Sequence, residues 1–93
     1  VRKRAGEVAA TWPALAASFG PRWYAAFRAW AAGRPPQGSL RDGWDFARAQ
    51  SALDDGARRE LRDRDIAWRY DGASPPRRRS RLGRSLRRSL GRS

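Results

Sequence analysis

The last twenty residues, 74–93, hold eight arginines and no acid, and they close on three Leu-x-Arg-Ser units at 82–85, 86–89 and 90–93. Such a segment cannot bury enough apolar surface to offset the entropy of ordering it. Any independent fold must therefore come from the first 73 residues, where all ten aromatic side chains lie, Trp12, Trp23, Trp30, Trp44 and Trp68 among them. Charge divides in the same way. Residues 1–73 carry 13 bases and 9 acids, whereas the tail adds eight bases alone and brings the net charge to +12. A chain of 93 residues allows one small domain at most.

Arginines without acids repel one another unless a polyanion is present, and polyphosphate is the expected partner. Twenty of the 21 bases are Arg, whose planar fork suits phosphate and whose flat face suits base stacking. Codon bias accounts for much of the preference for Arg over Lys, but not for the clustering in the tail. The chain has no cysteine for a disulfide or thiolate metal site, and no histidine to serve as general base or metal ligand. No cofactor and no small-molecule substrate is expected. No apolar run reaches the length of a membrane span, and an anionic membrane surface is the less expected competitor for the tail. The chain begins at Val1 and contains no Met, as expected for a removed initiator or presequence, or for a partial chain.

Periodicity and punctuation predict an all-α fold of several short helices with little independent core, followed by an extended or helical arginine-rich tail. Residues 1–6 are expected as a basic extended arm. A short helix capped by Thr11, with Pro13 in its first turn, should stop at Gly20-Pro21. A second helix over 21–32 places Trp23, Phe27 and Trp30 on one face. After the Gly33–Gly38 linker, Ser39-x-x-Asp42 and Asp42-x-x-Asp45 both resemble capping boxes opening a third helix, with Phe46, Ala49 and Leu53 on one face. A fourth helix over 57–70 carries Glu60–Arg64 and Asp65–Arg69 as i,i+4 pairs, with Leu61 and Trp68 on one face and Gly72 closing it. Ser74-Pro75-Pro76 reads as a hinge. No stretch alternates with period two long enough for a strand. The expected organisation is 1–38 as a tryptophan-rich extension, 39–72 as a helical hairpin-like segment, and 73–93 as the nucleic-acid-binding tail.

The expected phosphate contacts are Arg58, Arg59, Arg62, Arg64, Arg69, Arg77, Arg78, Arg79, Arg81, Arg84, Arg87, Arg88 and Arg92. Trp68 and Tyr70, lying among arginines, are the expected base-stacking residues. The carboxylates at 54, 55, 63 and 65 read as caps and ion-pair partners rather than as a metal or acid/base site, and the chain is not expected to be an enzyme.

The C-terminal half, with Leu53-Asp54-Asp55-Gly56, Glu60-Leu61-Arg62-x-Arg64, Tyr70, Ser74-Pro75 and the arginine run, resembles the ribosomal protein S twenty-one family. That resemblance covers roughly residues 46–88. It implies an rRNA-binding structural protein of a small ribosomal subunit, with neighbouring ribosomal proteins as partners. Arg62, Arg64, Arg77, Arg78, Arg79 and Arg81 would be its RNA contacts, and residues 1–45 an extension. An organellar ribosome in the mitochondrial matrix suits the missing initiator, with the cytoplasm as the alternative. A second likeness, carried by Ala25-Ala26-Phe27-Arg28-Ala29-Trp30, Leu53 and Leu61, is to the HMG box, which bends DNA with apolar wedges. A basic accessory subunit of another organellar complex is the third reading.

Overall fold

The computed structural model describes residues 2–79, and the arginines at 81, 84, 87, 88 and 92 lie outside the described residues. Five helices, α1 (Arg2–Thr11), α2 (Pro13–Phe19), α3 (Trp23–Ala31), α4 (Ser39–Ala49) and α5 (Asp55–Ala67), precede a small antiparallel ladder of β1 (Trp68–Arg69) and β2 (Arg77–Arg78). The all-α expectation is met. The ladder is the departure, because two residues per strand leave no alternation to read.

Residues 1–6 are not an arm. Ala5 and Val8 are fully buried and Trp12 follows on the same side, so α1 has a core face that its basic charge conceals. Distant residues fix it. Arg4 forms a two-pronged ion pair with buried Asp42 (2.9 and 3.1 Å), and the Trp23 indole N–H donates to the Ala5 carbonyl at 3.0 Å. Asp42 also accepts from the Gln37 N–H at 3.3 Å. The capping boxes therefore do not form. Gly38 occupies the N-cap of α4, and Asp45 accepts the Tyr70 hydroxyl at 2.8 Å.

Pro13 kinks what would otherwise be one long helix, because proline disfavours the helical conformation in the residue before it. Trp12 accordingly sits at φ −124°, ψ 66°, and it, not Thr11, is the N-cap of α2. Thr11 instead shares a hydroxyl hydrogen bond with Ser39 (2.7 Å). The kink exposes the amides of Ala14 and Leu15, and α5 supplies their acceptor. Glu60 receives Ala14 N–H at 3.0 Å and Leu15 N–H at 2.8 Å, one on each carboxylate oxygen. One turn on, Arg64 donates to the Thr11 carbonyl at the end of α1 (2.5 Å) and lies 5.1 Å over the Trp12 ring. An anion thus meets a helix N-terminus and a cation a helix C-terminus, the favourable order at both ends. Glu60 and Arg64 therefore serve the kink rather than a surface pair.

Trp12 is completely buried, lies edge-on to Trp44 at 5.8 Å, and donates its indole N–H to the Leu40 carbonyl at 3.1 Å. It reaches α4 where that helix has no side chain. A Cβ on Gly43 would stand 2.2 Å from Trp12 Cδ1 and 2.4 Å from Nε1. Burial of an indole this size removes roughly 200 Å² from water, a gross gain of about 5 kcal/mol. A second cluster centres on Phe46, whose ring meets Phe19, Trp23, Phe27 and Trp30 at 5.2 to 5.8 Å. Trp23 and Phe27 are buried on one face of α3 as expected, and Trp30 is half-buried there. Ala49 is exposed and Leu53 lies past the end of α4, so the expected stripe with Phe46 does not exist. Because α1 packs on α4 and α2 on α5, residues 1–38 and 39–72 share one core.

Asp54 caps α5 by accepting the Ala57 N–H at 2.8 Å. The helix stops at Ala67, earlier than expected, and Trp68 turns extended to pair with Arg78. Gly72, at φ +89°, belongs to the loop joining the two strands rather than to a helix end.

Two substitutions test the junction. Gly43→Ala gains about 1 kcal/mol of helix propensity, but overpacking against the rigid indole costs about 1–3 kcal/mol or more. The expected net is a fall in melting temperature of several degrees, read by tryptophan fluorescence; an unchanged or raised midpoint contradicts the packing described. Glu60→Gln should cost about 1–3 kcal/mol in urea unfolding, since it turns a double charged acceptor into a group that must direct an N–H at one of the two amides.

Candidate functional site

Carboxylates and arginines have been sorted by the fold. Among the described residues, Asp42, Asp45, Asp54, Glu60, Asp65 and Asp71 each accept a hydrogen bond that holds the structure together. Asp65 takes the Trp44 indole N–H (3.0 Å) and Arg48 (2.8 Å), in place of the expected surface pair with Arg69. Asp71 accepts from the Ala73 and Ser74 amides, which hold its carboxyl below the usual range. Asp55 lies exposed beside Arg58, whose hydrogen bond and charge lower it likewise.

Among the described residues seven arginines lie over aromatic rings, four of them over buried ones. Arg4 lies over Phe27, Arg41 over Tyr70, Arg48 over Trp44 and Tyr70, and Arg64 over Trp12. Arg64 is half-buried and bonded to Thr11, so the phosphate-contacting role expected for it gives way to a structural one. The same holds for Tyr70, expected to stack on bases. It is only 7% exposed, packs on the Trp44 ring at 4.8 Å and donates to Asp45. Burial pushes its phenol pKa up, so its contribution to stability is complete below the ordinary tyrosine range and is lost as pH rises through the folded value. Trp68 is half-buried under the Arg78 guanidinium, 4.9 Å from the ring centroid. Phe27, within the stretch that carries the HMG-box likeness, is fully buried.

What remains outward is a basic surface on α5 and the ladder. Arg58, Arg59, Arg62, Arg69, Arg77 and Arg78 are all exposed. Arg58, Arg59 and Arg62 line one shallow groove with Asp55. Arg79 is partly turned in: its N–H donates to the Ala67 carbonyl at 3.0 Å and its Nε to the Asp65 carbonyl at 3.1 Å. It thereby anchors the point where the chain continues into the tail. No group of three or more acidic side chains among the described residues could hold a metal ion. No described helix is long and apolar enough to cross a membrane. The sequence missed Arg4, Arg41 and Arg48 as structural residues, because Asp42, Tyr70 and Asp65 lie far from them in sequence.

Arg64→Gln is expected to lower stability by about 1–3 kcal/mol, through loss of the Thr11 bond and the Trp12 contact. Arg59→Gln, fully outside the core, should stay within about 0.5 kcal/mol of the parent. Parallel thermal melts distinguish the two classes; equal effects would contradict the division into inward and outward arginines.

Comparison with known proteins bears on identity. No similar curated protein and no similar solved structure is found. The ribosomal protein S twenty-one resemblance is overturned, since the match found is to another family and falls on the part of the chain which that resemblance treated as an extension. The matching family model, SCO6045-like, C-terminal domain, spans residues 1–52, which include helices α1 to α4 and the Trp12–Gly43 contact, and the chain belongs to that family.

Proposed function

We propose that this chain is a non-enzymatic, sequence-independent nucleic-acid-binding module. Arg58, Arg59, Arg62, Arg69, Arg77 and Arg78 face phosphate from the helical domain, and the arginines that follow Arg79 in sequence extend the contact along the strand. One observation carries the reading: Asp42, Asp45, Glu60 and Asp65 are buried or half-buried and bonded within the fold, while six arginines of the C-terminal half are exposed. Exposed guanidinium groups release counterions from phosphate and bind it without reading bases. Single-stranded RNA is the preferred ligand, because a flexible strand can follow both a helix face and the basic segment that continues from it in sequence. The ribosome and the mitochondrial matrix follow only from the resemblance that the family match replaces, and the proposal stands without them.

A second reading, a scaffold for an acidic protein partner, is favoured by an open groove of about 1150 Å³ on α3. Tyr24, 48% exposed, lies in it with Ala25 and Ala29, and Arg2 and Arg28 supply the charge. An acidic amphipathic helix would complement that lining.

Salt dependence of RNA binding separates the readings. Truncation after Arg79 removes five arginines. It should flatten the log–log slope of affinity against salt by roughly 3–4 on single-stranded RNA. An unchanged slope would contradict a role for the tail, and absence of RNA binding by the intact chain would favour the acidic-partner reading.

A further inference from the structure

The ladder carries an unfavourable juxtaposition. In its antiparallel register Trp68 faces Arg78 and Arg69 faces Arg77. Directly opposed residues share a face, with Cβ atoms roughly 4.5–5.5 Å apart. The first pair makes sense locally, since the Arg78 guanidinium covers the Trp68 ring and Trp68 packs against the core. The second pair sets two cations against each other, both exposed. Like charges in that position destabilise a sheet, and a ladder of two residues per strand has little else to hold it.

Nearby carboxylates offset this repulsion only in part. Asp71 is close enough for the charge of Arg69 to contribute to lowering its pKa, yet its Oδ1 accepts from the Ala73 and Ser74 amides. The Asp65 carboxylate is taken by Trp44 and Arg48. What would turn this repulsion into attraction is an anion presenting two or more oxygens between the guanidiniums, and phosphate geometry suits two arginine forks.

We propose that Arg69 and Arg77 form a clamp for one phosphodiester group, which completes the ladder when it binds. The clamp rests on the nucleic-acid reading above and gives it a defined contact. Arg79, bonded to Ala67 and Asp65 just beyond the ladder, then starts the arginine-rich segment beside a fixed phosphate. Binding at the clamp sets register for the contacts that follow and reads no base.

Arg69→Glu in the full chain tests this, because it has opposite effects on the ladder and on binding. A glutamate opposite Arg77 makes a favourable cross-strand pair, so the Arg79 amide should exchange more slowly than in the parent without any ligand. The same change places an anion in the clamp. Affinity for a 16-nucleotide oligouridylate should fall at least threefold, with a salt slope shallower by roughly 1. In the parent, that oligonucleotide should slow Arg79 exchange severalfold; in the variant it should add nothing. If the parent binds the oligonucleotide and the variant binds equally well with the same slope, the clamp is wrong while the nucleic-acid reading stands. If the parent does not bind at all, that reading fails and takes the clamp with it. Protection of Arg79 by inorganic phosphate, or by phosphatidylserine vesicles, at the same phosphate concentration as the oligonucleotide would overturn the assignment to a nucleic-acid backbone.

Discussion

The seating of Trp12 against the bare backbone of Gly43 is the contact on which the remainder of the structure depends. It occurs at the Pro13 kink, so one side chain fixes both the angle between α1 and α2 and the approach of α4. The indole reaches α4 only because residue 43 has no Cβ, and its N–H finds the Leu40 carbonyl there. The kink would leave two amides unsatisfied, a cost comparable to lost hydrogen bonds, unless an acceptor came from elsewhere. Glu60 is that acceptor, and Arg64 closes the other side of the junction. Three segments far apart in sequence are thereby locked through a single turn.

The same economy explains the surface. A small domain with few acids uses most of them as caps, hydrogen-bond acceptors and buried ion-pair partners. Arginines near the core cover aromatic rings, where cation–π contact and packing of the stem stabilise them together. Arg58, Arg59, Arg62, Arg69, Arg77 and Arg78 are left exposed on α5 and the ladder, and the basic segment follows them directly. Exposed Asp54, Asp55, Asp63 and Asp71 share that surface, so it is basic by an excess of arginine rather than free of acid.

Much of the helical framework was legible in the sequence. The Trp23–Phe27–Trp30 spacing, the Gly20-Pro21 break, the 33–38 linker and the helix over most of 57–70 all follow from local rules. The misreadings share one cause, which is that the deciding partner lies far along the chain. Residues 1–6 look like a solvated arm until Asp42 and the Trp23 indole are placed beside them. Asp42 and Asp45 look like local caps, yet they bond Arg4 and Tyr70. Arg64 and Tyr70 look like surface ligands for RNA and are structural. The ladder was illegible for a different reason, since two residues per strand cannot establish a period. Of the candidate site, Arg58, Arg59, Arg62, Arg69, Arg77 and Arg78 are exposed as the sequence reading needs, whereas the bonding of Asp42, Asp45, Glu60 and Asp65 within the fold became visible only in three dimensions.

The central claim is that the protein separates an inward set of arginines from an outward set, and that the outward set meets nucleic acid. Side-chain NMR of the full chain, with the arginine Nε–H and tryptophan indole N–H signals followed during titration with single-stranded RNA, tests it directly. The account predicts salt-sensitive shifts at Arg58, Arg59, Arg62, Arg69, Arg77 and Arg78, with the Trp12 and Trp44 indoles and Arg64 unmoved. Shifts centred on Arg64 and the buried indoles, or none on the outward arginines, would contradict it.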